Sequence, residues 1–443
     1  MQILMLLVLF AIFAAYSLQF HAFAADEYTY MNNARAFASG ELDKASDLGR
    51  FPMFSFVLSI AYKILGDTEA TGRALNVFIG FCTALAVLLM VYWNQKNKEV
   101  ALIAASLTAT NPALLFLASR TFSEPLFILL LVLCTWVLLL ALKNEKWFIP
   151  LGVLLVSLIL TRFVGLYFIV IAMAFFAFKQ QILQTIQRKW LYAGILAGGL
   201  FAFLLVSQIP NASNNFAIFI QDQISGNLAL ASGNTVGLGL PDKIPSYLLV
   251  TPFLLGAPLL VLAWFALKDH KKLFQTFKTT FSADLFLLSA ISVVLITIIM
   301  ELHGFIAPRL LRYAAVVIPF LAILFAMVVT KFTGIDTEKF AKKVMYAMIM
   351  LNLIVGFVVV GYFGSYEKHV AFREAALYAK DNCNSFQSNI DYALLYYTGQ
   401  KNSDESKPEC FVLNNYDGLT DKPPSQSGYS SVYQYGKVTV YKR

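Results

Sequence analysis

The sequence predicts an all-α polytopic membrane protein of about eleven transmembrane helices, followed by a small α/β domain outside the membrane. Three observations carry that expectation. The 443 residues are 58% apolar and only 14% charged, against roughly 25% charged in soluble proteins. Apolar runs of about twenty residues, the length that crosses ~30 Å of hydrocarbon, recur through positions 1–363. Positions 364–443 change character and alternate short apolar runs with polar turns. A soluble enzyme, a disulfide scaffold and a disordered chain are excluded. The net charge of +8 does not point to nucleic acid, because most of the excess Lys and Arg lies in short loops between apolar runs.

The spans fall at about 1–20, 73–93, 100–117, 124–142, 148–161, 163–178, 191–209, 247–267, 284–301, 310–330 and 344–363. The fifth and sixth form a tight pair around Thr161-Arg162, too short to cross the core unless their ends extend into the flanking loops. Ala22-Phe23-Ala24 resembles a signal-peptidase site, but no basic stretch precedes the first run, which is read as a retained span.

Orientation follows from Lys and Arg. One set of alternate loops holds Lys96, Lys98, Lys143, Lys146, Lys179, Arg188, Lys189, Lys268, Lys271, Lys272, Lys278, Lys331, Lys339, Lys342 and Lys343. The opposite short loops hold little beyond Arg120, Lys243 and Arg309. The basic set marks the cytoplasm, which places the amino terminus there and the tail outside. The expected localisation is a multi-pass plasma membrane of a prokaryote or an ER-type membrane.

Two external loops are long. The first, 21–72, has an amphipathic stretch at 26–37 closed by Gly40, and then an apolar run at 51–65 suited to lying in the interface. The second, 210–246, is nearly uncharged and carries an Asn211-Ala212-Ser213 sequon. In the tail the pattern predicts a helix over 366–380 and strands over 390–397, 410–413 and 432–441. Cys383 and Cys410 both fall on the oxidising side, where a disulfide fits. No internal repeat is visible.

Chemistry-bearing residues gather at one membrane surface. Asp26-Glu27 follows the first span directly, and ionised groups near hydrocarbon are costly. They could also simply favour a helix N-terminus. In Ser119-Arg120-Thr121-Phe122-Ser123-Glu124-Pro125, Ser123 with Pro125 suits a helix start and Glu124 its first turn, whereas Arg120 is not explained by capping. Arg162 is wedged between two apolar runs at a depth that suits a phosphate or carboxylate. His303, Arg309, Arg312 and Tyr313 lie at the external mouth of the ninth and tenth spans, with the two arginines three residues apart on one helical face. Four His and four Cys offer no ligand spacing, so no metal site is assigned, although carboxylates leave a divalent ion open and no cofactor is firmly expected.

Carboxylates and guanidinium groups on one external face fit transfer from a lipid-linked phosphosugar. Arginine would neutralise the departing phosphate, and a carboxylate would take the proton of an attacking hydroxyl. A phosphate needs no acid to leave, so a single base suffices and direct displacement inverts the anomeric centre.

These motifs resemble the membrane glycosyltransferases of the C superfamily, and among them the dolichyl-phosphate-mannose–protein mannosyltransferases and aminoarabinose transferases (glycosyltransferase family 39-like). The likeness rests on Asp26-Glu27-x-x-Tyr30-x-x-x-Ala34-Arg35 running to Gly40, Arg50-Phe51-Pro52, Arg73-Ala74-Leu75-Asn76, Ser123-Glu124-Pro125, Thr161-Arg162-x-x-Gly165, and Arg312-Tyr313 ahead of Pro319. The resemblance implies Asp26 as the catalytic carboxylate, with Glu27 beside it, and Glu124 as an acidic position near the active site. It implies Arg162 and Arg312 on the donor phosphate. Arg309 and Arg120 are further phosphate candidates, and Tyr30, Arg35, His303 and Tyr313 are further active-site candidates. A polyprenyl- or dolichyl-phosphate sugar, mannose or a similar hexose, would be the donor, with a glycan, protein or lipid as acceptor among membrane lipids. Two other functions remain: a ligase or polymerase of lipid-linked oligosaccharides, which shares the external arginines, and a lipid or solute transporter. The transporter fits poorly, because the span centres are almost free of charge.

Overall fold

The computed structural model describes residues 25–42, 52–179, 189–207, 284–302, 315–333, 349–357, 367–388, 391–398, 408–414, 429–435 and 438–443, with isolated positions between them. The expected spans at 1–20 and 247–267 and the loop at 210–246 lie outside these residues.

The first loop opens with α1 (Ala25–Ser39) and α2 (Met53–Leu65). An amphipathic α1 is expected, but from Glu27 to Ala34 every side chain is buried. The reason is packing on several sides, by α2 and by a helix of the tail. α2 keeps the amphipathic character, burying Phe54, Leu58 and Tyr62 while Ile60, Ile64 and Leu65 stay exposed, as suits a helix lying at a lipid surface.

Next comes α3 (Glu69–Gln95), started by Thr68, whose side chain accepts from the Thr71 amide. Its 27 residues span about 40 Å at ~1.5 Å per residue, longer than the ~30 Å hydrocarbon core. The expected single span at 100–117 is instead a broken pair, α4 (Lys98–Thr110) and α5 (Pro112–Ala118), bent by 58°. Asn111 precedes a proline and is extended (φ −64°, ψ 126°), ending α4, while its Oδ1 accepts from Ala113 and Leu114 to start α5.

α6 (Glu124–Lys143), α7 (Phe148–Thr161), α8 (Tyr167–Phe178) and α9 (Lys189–Val206) complete the first part of the bundle. The span expected at 163–178 begins with a 3-10 turn, Phe163–Leu166, before α8. α7 and α9 cross with backbones touching: a Cβ on Gly194 would lie 2.1 Å from the Phe148 carbonyl, and one on Gly152 1.9 Å from the Gly194 carbonyl. With Gly198 one turn on, this is the small-residue packing that replaces hydrophobic driving force inside lipid. α10 (Asp284–Leu302) and α11 (Ile318–Thr333) follow, the latter after a 3-10 turn at Ala315–Val317. Outward faces carry Phe78, Ile195, Leu196 and Phe203, all more than half exposed, the surface expected against acyl chains. Among the described residues three helices are long and apolar enough to cross a membrane, or four with the bent pair. The chain is an integral membrane protein.

Chain direction sorts the helix ends. Lys96, Lys98, Lys143, Lys146, Lys179 and Lys189 flank one set of ends, where Lys143 lies 3.9 Å from the Trp93 ring centroid and Lys179 pairs with Asp284. α1, Glu124 and Arg162 gather at the other.

In the tail, α12 (Glu367–Asn382) buries Ala371, Phe372, Ala375 and Ala379 against a sheet of order β1-β2-β4-β3. β1 (Phe386–Ser388) runs parallel to β2 (Cys410–Asn414), and β4 (Val438–Lys442) is antiparallel to β2 and to β3 (Ser430–Tyr435). The strand expected at 432–441 is therefore a hairpin. The strand expected at 390–397 is a helix, α13 (Asp391–Thr398), which docks on α1. Tertiary contact overrides local β-preference there. A disulfide joins Cys383 to Cys410.

Candidate active site

Three faces of α1 make three different contacts. Asp26 and Tyr30 are one turn apart and share a face. The Tyr30 hydroxyl lies 3.0 Å from Ser123 Oγ. Burial pushes the Tyr30 phenol up, Arg162 opposes that shift, and the charges of Glu124 and Asp26 add to it. Arg162 Nη1 lies 2.8 Å from Glu124 Oε1 and donates to Ser123 Oγ at 3.3 Å. Ser123 thus links Tyr30 to the Arg162–Glu124 pair, one helical turn along α1 from Asp26. Glu124 is fully buried, whereas the Arg162 side chain is 15% exposed and Asp26 is half-buried. Arg162 and Asp26 therefore keep contact with solvent while Tyr30, Ser123 and Glu124 are closed off from it.

Local sequence explains the position of Arg162. Thr161 ends α7 with its hydroxyl donating to the Ser157 carbonyl, and Arg162 is extended (φ −159°, ψ 138°). The next turn folds back so closely that a Cβ on Gly165 would lie 2.9 Å from the Leu158 carbonyl. Only glycine allows that return, and the return turns Arg162 toward the start of α6.

A second face of α1 is sealed. The Thr121 amide donates to Glu27 Oε1 at 2.9 Å, and Glu27 is completely buried. Arg120 is 1% exposed, and burial pushes its guanidinium down to about 10, with Glu27 opposing that shift and Arg73 adding to it. It stays charged at neutral pH. Asn76 donates to the carbonyls of Arg120 and Phe122, at 2.5 and 2.8 Å, fixing the turn between α5 and α6. In this structure Arg120, expected on a donor phosphate, is closed off from solvent. Glu27, expected at the chemistry, instead binds a loop amide.

The third face carries Tyr28 and Arg35. Tyr28 and Tyr397 hydroxyls are 3.1 Å apart, and Tyr397 donates to Glu69 Oε1 at 2.8 Å. Glu69 Oε2 lies 3.4 Å from Arg73 Nη1. Arg35 pairs with Asp67 at 2.5 Å, away from the pocket. His303, Arg309, Arg312 and Tyr313 lie outside the described residues.

Sequence reading missed the role of Ser123: it begins α6 without a side-chain cap bond and gives its hydroxyl to Tyr30 and Arg162. It also missed Tyr28, Glu69, Tyr396 and Tyr397. Ser123, Arg73 and Asn76 carried a signal, as parts of motifs, whereas Tyr28, Glu69, Tyr396 and Tyr397 carried none. Among the described residues no group of three or more His, Cys, Asp or Glu is placed to hold a metal ion.

Comparison with known proteins bears on the fold. The family described as dolichyl-phosphate-mannose-protein mannosyltransferase matches over residues 47–208. No curated protein sequence matches. Crystal structures of ArnT from Cupriavidus metallidurans are similar over 99% of this chain and 97% of theirs at 12% identity, with TM-scores of 0.67 for the apo state and 0.69 for the form bound to undecaprenyl phosphate. The Archaeoglobus fulgidus oligosaccharyltransferase, tethered to an acceptor peptide containing the NVT sequon, is similar at 15% identity and a TM-score of 0.54, over 91% of this chain and 60% of that one. The fold of the ArnT structures is thus shared along nearly the whole length of the chain.

Proposed function

We propose that this protein transfers a sugar from a polyprenyl-phosphate donor to an acceptor hydroxyl at the extracytoplasmic face of the membrane, with Asp26 as general base. The observation that carries the proposal is the cluster in which Arg162 pairs with Glu124 and donates to Ser123, itself bonded to Tyr30, one helical turn along α1 from Asp26. Undecaprenyl phosphate is the ligand bound to one of the similar ArnT structures, which supports a lipid monophosphate donor here.

In this reading Arg162, braced by Glu124 and Ser123, faces the donor phosphate, together with Arg312 and Arg309. The acceptor oxygen attacks the anomeric carbon as its proton passes to Asp26. The bond from that carbon to the phosphate oxygen breaks, the electron pair leaves with the lipid phosphate, and Arg162 stabilises the added charge. Configuration inverts. Tyr30 remains a neutral phenol and orients Ser123. Glu27 and Arg120 hold the loop in register with the pocket. The sugar is mannose or a similar hexose. The amino terminus is cytoplasmic and the tail extracytoplasmic, in line with the helix ends that carry lysine.

The test is turnover of a panel of undecaprenyl-phosphate sugars by the purified full chain. That panel should be consumed with release of undecaprenyl phosphate; turnover confined to a diphosphate-linked glycan, with release of undecaprenyl diphosphate, would indicate a ligase of lipid-linked glycans instead. Asp26→Asn should lower turnover by roughly 10²–10⁴, the range for a positioned general base. Wild-type turnover in that variant overturns the assignment.

A further inference from the structure

The face of α1 opposite the pocket is held by the tail. Tyr28 follows Asp26 by two residues and Arg35 by nine, so at 3.6 residues per turn both point away from the Asp26–Tyr30 face. Helix α13 meets that face with Tyr396 and Tyr397. Tyr28 packs on both rings at 5.6 Å between centroids. Its hydroxyl lies 3.1 Å from that of Tyr397, which donates to Glu69 on the first turn of α3. Arg35 stacks 4.0 Å from the Tyr396 centroid and donates to the Tyr396 carbonyl at 2.7 Å. A single tail helix thereby ties the rotation of α1 to the top of a long membrane helix.

We infer that Tyr397 and Tyr396 are positioning residues for the transfer reaction: α13 sets the rotation of α1 and hence the aim of Asp26 into the pocket. The inference rests on Asp26 being the base. An isolated helix of 15 residues is marginal, so α1 owes its placement to such contacts. A rotation that displaces a reacting group by about 1 Å can cost on the order of a hundredfold in rate. Burial also raises the phenols of Tyr28 and Tyr397, keeping both as neutral hydroxyls able to share the bond.

The experiment uses the full chain with Tyr397→Phe, Tyr28→Phe and the double variant. Turnover is measured with the undecaprenyl-phosphate sugar that the wild type consumes, and hydrogen exchange is compared between 25–39 and 124–143. Each single variant should lower kcat about tenfold with donor KM within about twofold. The double should be no worse than the worse single, because both remove one shared bond. Amides of α1 should exchange faster while those of α6 do not change. Unchanged kcat and unchanged α1 exchange overturn the inference, as does loss through donor KM alone or a uniform rise in exchange. If Tyr397→Phe does not fold, Arg35→Gln, on the same face and partly exposed, carries the test with the same outcomes. Wild-type turnover in Asp26→Asn would remove the base assignment instead, and the exchange comparison would still decide whether α13 clamps α1.

Discussion

Ser123 occupies a position where helices commonly take a side-chain cap, yet its hydroxyl is spent on Tyr30 and Arg162. A cap removed by Ser→Ala would cost about 1 kcal/mol of stability. Here Ser123→Ala should lower turnover several-fold and also cost about 1–3 kcal/mol of stability, because the buried Tyr30 hydroxyl loses its partner; a similar loss of stability with intact turnover would leave Ser123 a purely structural role. Tyr30 gives a pH prediction. Its phenol is raised, mainly by burial, so the folded state favours the neutral form. That contribution to stability is complete below the ordinary value of about 10 and is lost as pH rises through the raised one. Tyr30→Phe and wild type should therefore show parallel pH–rate profiles from about pH 7 to 9, and an alkaline limb that vanishes in the variant contradicts the assignment. The charged members of the pocket were legible because an ionised group beside an apolar run demands a reason. Which of Asp26 and Glu27 faces the pocket was not, since neighbours on a helix point about 100° apart and the orientation depends on what packs around it.

At the scale of elements, composition locates the apolar helices well, because lipid enforces a hydrophobic length that sequence displays directly. The break at Asn111-Pro112 was written in the sequence as well, but the apolar run across it masks the bend. Helix α13 was hidden for another reason: Tyr and Leu suit a strand as readily as a helix, and only contact with α1 decides. The crossing of α7 and α9 makes a sharper claim. Gly194→Ala places a methyl against backbone, with no side chain to yield, whereas a Cβ on Gly199 meets nothing within 4 Å. Gly194→Ala should lower the thermal midpoint in detergent by several degrees, and Gly199→Ala should leave it unchanged or slightly raised. Equal behaviour of the two would contradict the close crossing.

For the whole molecule, α13 couples the tail to the first loop among the described residues, and the tail's own fold is stapled by the Cys383–Cys410 bridge. That bridge closes 27 residues and should contribute about 3 kcal/mol. Cys383→Ser with Cys410→Ser should raise protease cleavage within 364–443 while 124–143 stays protected; equal cleavage with and without the bridge would deny it a stabilising role. The general architecture was visible in the sequence, since span length, lysine asymmetry and ordered motifs agree. The way the tail reaches the first loop was not, because Tyr28, Arg35, Glu69 and Tyr397 are brought together across more than 300 positions with no local pattern. The central claim is that one pocket divides its work between a guanidinium for the lipid phosphate and Asp26 for the proton. Equilibrium affinity for undecaprenyl phosphate tests it most directly, measured on wild type, on Asp26→Asn, and on Arg162→Ala combined with Glu124→Gln so that no buried carboxylate is left uncompensated. The account predicts wild-type affinity in Asp26→Asn and at least a tenfold loss in the Arg162 variant; equal affinity in all three would contradict it.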